Sequence, residues 1–315
     1  YGQGKADISK IGENDMQFLI TDQIMEAPES YAGGWHMRNG RITGVIRAKY
    51  GLPEAEKGRQ EISWDDALEE ICEDASKNSF LDVSERKRVI RLLRPHLSEN
   101  RKSLICDFGA SSGHMIADLQ DCFSWNRFVA CDLCGGGLQR SYRNRPDIMH
   151  IQMNLKKIPF QDQAVDAAVC LNVLEHIGND RKALGEIYRV MKPGGVACFV
   201  VPYGKGLYDY YDASIYHKRR YGRRELSGKV RAAGFQVLYE NYIGTAVYPF
   251  FAMKKHWNRI YGRHLSEADK RRAFEKDNDL TKDSGLGHLL MQMEEALSEN
   301  VRFPFGIRDV VMAKK

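Results

Sequence analysis

The sequence lacks several features that would place it in a specialised class of protein. It has no run near the roughly 18 apolar residues that a membrane-spanning helix requires. Its longest apolar run, Gly195–Tyr203, is nine residues long and is typical of a buried strand. Its first residues show no charged, apolar and small-residue pattern of a secretory signal. With 43% hydrophobic and 28% charged residues, the composition is that of a globular protein and excludes collagenous and membrane-spanning classes.

Cysteine is present without the arrangement of a disulfide or zinc framework. The count of seven is odd, and Cys131 and Cys134 form a single C-x-x-C with no second pair or histidine cluster beside it. We therefore expect no metal-ligand set in this chain. Cys106, Cys131, Cys170 and Cys198 lie within apolar strand-like runs, where a thiol packs as a small hydrophobe. This pattern favours a reducing, cytoplasmic compartment.

The net charge is small, but the basic residues are unevenly distributed. Lys and Arg number 47 against 42 Asp and Glu, for a net charge of +5, well short of a dedicated nucleic-acid binder. Five cations lie within residues 217–224, and residues 254–259 add three more. These runs are interpreted either as solvated surface or as a patch for an anionic acceptor or RNA.

The chain divides into four segments. Residues 1–62 are polar with scattered aromatics and are predicted to form an N-terminal arm or a helical segment that acts as a lid. Residues 63–244 alternate between apolar strand-like runs and helix-like spacing, beginning with a helix from Ser63 to Ala75. Residues 245–304 are predicted as a helical insertion over the acceptor site, and residues 305–315 as the last strand of the core sheet.

The strand candidates of the core are nearly continuous apolar runs, as in parallel strands covered on both faces. They are Ser103–Phe108, Phe128–Leu133, Met149–Met153, Val165–Leu171, Val196–Pro202, Phe235–Tyr242 and Ile307–Ala313. Helical stretches separate several of them. The alternation predicts an α/β fold with a doubly wound parallel sheet.

A nucleoside site is indicated at the ends of the first two core strands. The first strand ends at Asp107, and a turn with Gly109, Ala110 and Gly113 then opens a helix, whose small residues and unpaired amides let a ligand approach the backbone. The second strand ends at Asp132, about twenty residues later, where a carboxylate can accept both hydroxyls of a ribose.

The turn is neither G-x-G-x-x-G nor a phosphate-binding loop ending in Gly-Lys-Ser/Thr, which disfavours dinucleotide enzymes and ATPases. At these residues the sequence resembles the class I S-adenosylmethionine-dependent methyltransferases. Four further stretches follow that family's order: residues 154–160, residues 165–176, residues 189–195 and residues 225–235. Ser111 stands where the family usually has its middle glycine, and Asn154 where an acid is common.

The resemblance implies a seven-stranded Rossmann-like sheet with its last strand antiparallel. It also implies roles for individual residues toward S-adenosylmethionine. The loop around the methionine part would be formed by Asp107, Gly109, Ala110 and Gly113. Asp132 would hold the ribose, and Leu133 would pack on the adenine. The amino edge of the adenine would contact Asn154 and Leu155, and Asn172 would line the pocket.

The expected reaction is metal-independent methyl transfer to an oxygen or nitrogen of a small-molecule acceptor, such as a specialised metabolite or glycan, with S-adenosylhomocysteine as product. The acidic pair and Asn that magnesium-dependent relatives place around the fourth strand are missing at residues 171–174. His176 and His217 are the candidate catalytic bases, because His accepts a proton near neutral pH. His176 also has a structural interpretation, as a residue typical of this turn, and His217 lies among tyrosines and cations that could form an acceptor site.

Two other functions remain open at this point: an RNA or protein methyltransferase that uses residues 217–224, and a non-catalytic scaffold that binds the cofactor. We expect no nucleic-acid partner and no membrane span. The basic residues favour an anionic small-molecule acceptor. A homodimer is compatible with the sequence.

Overall fold

The computed structural model describes residues 31–38, 41–48, 77–262, 264–266, 269 and 285–315. The helix predicted from Ser63 to Ala75 and most of the predicted arm lie outside these residues. Within them the chain alternates between strands and helices, as the sequence predicted, and no cis peptide bond occurs.

The strands and helices have the following bounds. The strands are β1 (Tyr31–Arg38), β2 (Arg41–Ala48), β3 (Leu104–Phe108), β4 (Arg127–Asp132), β5 (Met149–Gln152), β6 (Val165–Leu171), β7 (Met191–Pro202), β8 (Gln236–Ile243) and β9 (Arg308–Lys314). The helices are α1 (Phe80–Leu93), α2 (His114–Cys122), α3 (Gly135–Asn144), α4 (Asp180–Val190), α5 (Tyr210–Ser214), α6 (Glu225–Ala232), α7 (Tyr248–Tyr261) and α8 (Gly285–Leu297).

The strands form one sheet in the order β1-β2-β5-β4-β3-β6-β7-β9-β8. The six strands from β2 to β7 are parallel to one another. Strand β1 runs antiparallel to β2, and β9 runs antiparallel to β7 and β8. The doubly wound sheet with an antiparallel last strand is therefore confirmed. Because β3, β4, β5 and β6 are parallel neighbours, their carboxyl ends meet at one edge, and the predicted site residues lie there.

A hairpin extends this sheet beyond the predicted seven strands. Strands β1 and β2 pair with each other, and β2 adds to β5 through the register Val45↔His150. The sequence predicted an arm or lid for these residues. The dipeptide Asn39-Gly40 is a hairpin turn signal between the two segments, but their apolar residues are too few to show a strand pattern.

Helices cover both faces of the sheet, which explains the continuous apolar strands. One face packs against α4 and α6 through side chains such as Ile187 and Val230. The other packs against α1, α2, α3 and α8 through side chains such as Leu93, Leu119 and Met291. All five residues of β3 are buried, as expected for a central strand.

The insertion supplies two described helices, α7 and α8. Helix α8 packs on α1, where Arg88 Nε lies 2.5 Å from Glu295 Oε2. Met291 is buried, whereas Met293 and Leu297 are more than half exposed, so Met291 alone of these three joins the core. No helix in the described part of the chain combines the length and apolar character that crossing a membrane requires.

Candidate functional site

The loop between β3 and α2 is clamped against the neighbouring strand. The backbone N–H groups of Gly109 and Ala110 donate to the Cys131 carbonyl at 2.7 and 2.9 Å. Gly109 has φ +95°, and a Cβ there would lie 2.1 Å from Val173 Cγ2. No other residue type fits this conformation and spacing without a shift of the loop.

The N-terminus of α2 packs closely against α3. Gly113 has φ +83°, and a Cβ there would lie 2.0 Å from Ser141 Oγ on α3. The predicted glycine turn is thus a tight connection between three elements, and it brings the first amides of α2 to the sheet edge.

Asp132 is fixed at the end of β4 by two backbone amides. Ser111 N donates to Asp132 Oδ2 and Cys134 N donates to Asp132 Oδ1, both at 2.8 Å. Ser111 adopts φ +51°, the left-handed conformation that a glycine takes at low cost. The serine therefore keeps the backbone conformation of the glycine turn, and its amide joins the turn to the Asp132 carboxylate.

Asp107 lies beside Asp132 and is buried, with 2% of its surface exposed. Its Oδ2 atom has no hydrogen-bond partner among the described residues. Burial, and secondarily the nearby Asp132 carboxylate, raise the pKa of Asp107 from 3.8 to about 8. A buried acid in this state binds a cation favourably, because the cation supplies the missing charge compensation.

The segments after β4 and β5 lie side by side. Met153 N donates to the Asp132 carbonyl at 2.7 Å, and Gln152 Nε2 donates to the Leu133 carbonyl at 3.0 Å. Leu155 is buried, and Asn154 Oδ1 accepts a hydrogen bond from Lys156 N at 2.9 Å. Adjacent strands thus bring the four residues predicted for the ribose and adenine to one edge.

Asn172, predicted to line the pocket, is held by residues that the sequence analysis did not single out. It has φ +55°, and its Nδ2 donates to both carboxylate oxygens of Glu85 on α1, at 2.9 and 3.2 Å. Arg308 forms ion pairs with Glu85 and Asp82. These contacts join residues up to 226 positions apart, and no local sequence pattern indicates them.

His176 and His217, predicted separately, are in contact. Their ring centroids lie 4.7 Å apart at an interplanar angle of 73°. His217 Nδ1 lies 3.0 Å from Asp212 Oδ1, and His217 Nε2 lies 3.7 Å from Glu175 Oε1. Burial lowers the pKa of His176 to about 3 and lowers that of His217, despite the opposing effect of Asp212.

A buried charge network lies behind this pair. Arg220 Nε donates to Asp212 Oδ1 at 2.8 Å, and Lys255 Nζ from α7 donates to Asp209 Oδ1 at 2.7 Å and to Asp212 Oδ2 at 2.8 Å. These neighbouring cations and hydrogen bonds hold the pKa of Asp212 well below its usual range. The network orients His217 and ties α7 to the segment after β7.

The basic run at residues 217–224 is only partly a surface patch. Arg220 is buried against Asp212, and Arg219 NH1 lies 2.9 Å from Asp180 Oδ2. Lys218, Arg223 and Arg224 are exposed. Because part of this run neutralises buried carboxylates, it gives weak support to an RNA-binding surface.

The structure is a doubly wound α/β domain in which the predicted cofactor residues lie together at the carboxyl ends of β3 to β6. Residues 106–199 match a family model described as "Methyltransferase domain". This match confirms the resemblance to the class I S-adenosylmethionine-dependent methyltransferases stated above.

One similar curated protein is the demethylmenaquinone methyltransferase of Paenarthrobacter aurescens (strain TC1). It is 32% identical over 140 residues, which cover 42% of this chain and 54% of the relative. The chain therefore matches about half of that relative's length.

Two solved structures share the fold. A Galdieria sulphuraria protein described as a sarcosine dimethylglycine methyltransferase has a TM-score of 0.52 and 13% identity, over 74% of this chain and 86% of that one. The phosphoethanolamine N-methyltransferase 2 of Haemonchus contortus, in complex with S-adenosyl-L-methionine, has a TM-score of 0.52 and 14% identity, over 79% of this chain and 57% of that one.

Proposed function

We propose that this chain transfers a methyl group from S-adenosylmethionine to an oxygen or nitrogen of a small-molecule acceptor and releases S-adenosylhomocysteine. The observation that carries the proposal is the pair of carboxylates at adjacent strand ends. Asp107 is buried with an unsatisfied oxygen, and Asp132 is fixed by two amides on the other side of a glycine turn. The name of the Paenarthrobacter relative, demethylmenaquinone methyltransferase, supports a small-molecule acceptor and carries no support for the choice of oxygen or nitrogen.

The residues at this edge fit the cofactor. Asp107 and the turn from Gly109 to Gly113 would hold the cationic methionine part, Asp132 the ribose, and Leu133 with residues 154–155 the adenine. When bound, the cofactor supplies a methyl group on a positively charged sulfur. Asn172, clamped by Glu85, would form the wall between this edge and the acceptor side.

His176 and His217 are the proposed acceptor-side groups. An acceptor hydroxyl or ammonium must lose a proton, and an imidazole oriented by a carboxylate can accept it. The Asp212 carboxylate fixes the orientation of the His217 ring through Nδ1, which leaves Nε2 directed toward Glu175 and His176. Alignment of the acceptor with the methyl group then supplies much of the rate enhancement. Cytoplasmic location and a homodimer stay predictions.

The test is a methyl-transfer assay with tritiated-methyl S-adenosylmethionine and a panel of phenols, quinols, amines, phosphorylated alcohols and glycans. We expect one class to accumulate label in step with S-adenosylhomocysteine release, and Asp132→Ala to abolish both. Cofactor binding with no labelled product from any class, including RNA and protein acceptors, would contradict the enzyme and favour a scaffold. Labelling of RNA or protein alone would contradict the small-molecule acceptor.

A further inference from the structure

Three potential metal ligands converge beside the proposed acceptor pocket, and the cofactor site uses none of them. The ligand atoms of Glu175, His176 and His217 all lie within 4.8 Å of one another. Glu175 and His176 belong to the short 3-10 helix after β6, whereas His217 comes from the segment after β7. Two ligands of one transition-metal ion lie at most about 4.4 Å apart, because each bond is about 2.0–2.2 Å long. Side-chain shifts of a few tenths of an ångström would therefore complete the set.

The Glu175 carboxylate is the strongest of the three observations. Its side chain is fully buried, and neither of its oxygens has a hydrogen-bond partner among the residues that the structure describes. Burial of an uncompensated carboxylate is costly, and a bound cation is one of the few groups that offset this cost. Arg220 and Lys255 form their close contacts with Asp212 and Asp209 instead.

Both imidazoles have the outer partners that metal-binding histidines usually have. His217 Nδ1 is held by the Asp212 carboxylate, and the nitrogen that faces Glu175 is Nε2. The His176 ring is hydrogen-bonded to the backbone of Tyr216. A carboxylate or a backbone carbonyl on the far ring nitrogen fixes the orientation of a ligating imidazole and strengthens it as a ligand.

We propose that Glu175, His176 and His217 bind one divalent first-row transition-metal ion at the acceptor side of the pocket. Two imidazole nitrogens and one carboxylate suit Zn²⁺, Fe²⁺, Mn²⁺ or Co²⁺, whereas Mg²⁺ prefers an all-oxygen set. Three protein ligands leave a position for water or an acceptor oxygen. The metal site rests on its own geometry, and its role in methyl transfer rests on the proposed function. In the metal-bound protein His176 and His217 are ligands and not proton acceptors, so the metal site would replace the base role proposed for them above. It would correct the expected absence of metal ligands, which considered only cysteine sets and the acidic magnesium pair.

Metal uptake can be measured without any acceptor. The full-length protein is stripped with EDTA, dialysed against Zn²⁺, Mn²⁺ or Co²⁺, and analysed by elemental mass spectrometry. We expect about one bound ion per chain for at least one metal, and for Co²⁺ a visible ligand-field absorption. X-ray absorption of the metal-loaded wild type is expected to show two imidazoles in the coordination sphere.

Matched variants locate the site. His217→Gln and Glu175→Gln are each expected to weaken metal affinity at least about tenfold. His96→Gln, which changes an exposed histidine at the end of α1, is the control and keeps wild-type uptake. For each variant, circular dichroism measures folding, and titration with S-adenosylhomocysteine measures whether the cofactor site is intact.

Wild-type protein that retains no metal after dialysis, or a metal spectrum without two imidazoles, would overturn the proposal. So would unchanged metal affinity in a folded His217→Gln variant. Cofactor binding that persists in either case leaves the proposed function standing, so the two failures are distinguishable. Conversely, metal uptake with no cofactor binding would contradict the methyltransferase and not the metal site.

Discussion

The two halves of the site are built in different ways. The cofactor half depends on backbone: Gly109 and Gly113 have positive φ, and main-chain amides fix the Asp132 carboxylate. The acceptor half depends on buried side-chain charges that join α5, α7 and the segment after β7. A backbone-built site is encoded within a few consecutive residues, whereas a charge network is encoded by residues far apart in the sequence.

The largest expected effect comes from breaking the acceptor-side network. Lys255→Met removes the cation shared by Asp209 and Asp212, and the loss of one partner from a buried ion network costs about 3–5 kcal/mol. The free energy of unfolding, measured with urea, is expected to fall by this amount. Because the cofactor half does not include Lys255, S-adenosylmethionine affinity of the folded variant is expected to be unchanged.

Lys254→Met is the matched control, since Lys254 is the exposed neighbour on the same helix. Its stability is expected to stay within about 0.5 kcal/mol of wild type. Equal losses in the two variants would mean that the network contributes nothing specific.

Adding a single methyl group in the cofactor half is expected to weaken both the stability of the protein and its affinity for S-adenosylmethionine. Gly109→Ala adds a Cβ that would meet Val173 at 2.1 Å, in a positive-φ conformation. Overpacking and backbone strain together cost about 2–4 kcal/mol, and the displaced loop is expected to weaken S-adenosylmethionine binding. Urea unfolding and isothermal calorimetry measure the two effects.

Gly185→Ala provides the comparison for this variant. Gly185 lies inside α4, where an added Cβ meets nothing within 4 Å. The substitution is expected to raise the free energy of unfolding by about 0.5–1 kcal/mol and to leave cofactor binding unchanged. A Gly109→Ala variant that keeps both its stability and its cofactor binding would contradict the close packing of the loop after β3.

Two buried acids, Asp107 in the cofactor half and Asp309 on β9 outside it, are expected to have different roles. Burial raises the pKa of Asp107 and of Asp309 from 3.8 to about 8, and both oxygens of Asp309 are unsatisfied among the described residues. Between pH 3.8 and about pH 8 each of these carboxyl groups keeps its proton in the folded protein and has lost it in the unfolded chain. Each group's stabilising contribution is therefore full at acid pH and falls by about 1.4 kcal/mol per pH unit until the pH exceeds about 8.

Asp309→Asn and Asp107→Asn are both expected to flatten this pH dependence, measured by urea unfolding at several pH values between 5 and 8. Only Asp107→Asn is expected to weaken S-adenosylmethionine binding, because only Asp107 lies at the cofactor edge. A stability that rises with pH in the wild type, relative to both variants, would contradict the raised pKa values.

The sequence predicted the fold and brought the proposed cofactor residues to one edge of the sheet because both depend on short segments. Continuous apolar runs fixed the core strands to within a few residues, and the turn after Asp107 gave the position of the loop. The stretch from residue 165 to residue 176 brought Asn172 and His176 to the end of β6, as expected.

The acceptor half was predictable only in part. His176 and His217 were identified as candidates, but their contact depends on how the segment after β7 folds back over the end of β6. The hydrogen bonds between Glu85 and Asn172 and between Lys255 and Asp209 link residues 87 and 46 positions apart, and their partners look like ordinary surface charges in the sequence. The hairpin β1–β2 was missed although Val45, Ile46 and Ala48 are buried, because Gly44 and Arg47 interrupt the apolar residues of β2.

The proposed function requires that the edge formed by β3 and β4 binds S-adenosylmethionine through Asp132. The most direct measurement is a calorimetric titration of S-adenosylmethionine and S-adenosylhomocysteine into wild type, Asp132→Ala and the exposed-acid control Asp162→Ala. We expect binding to the wild type and the control and loss of binding in Asp132→Ala, as this role of Asp132 requires. No binding to the folded wild type, or equal binding to all three proteins, would contradict it.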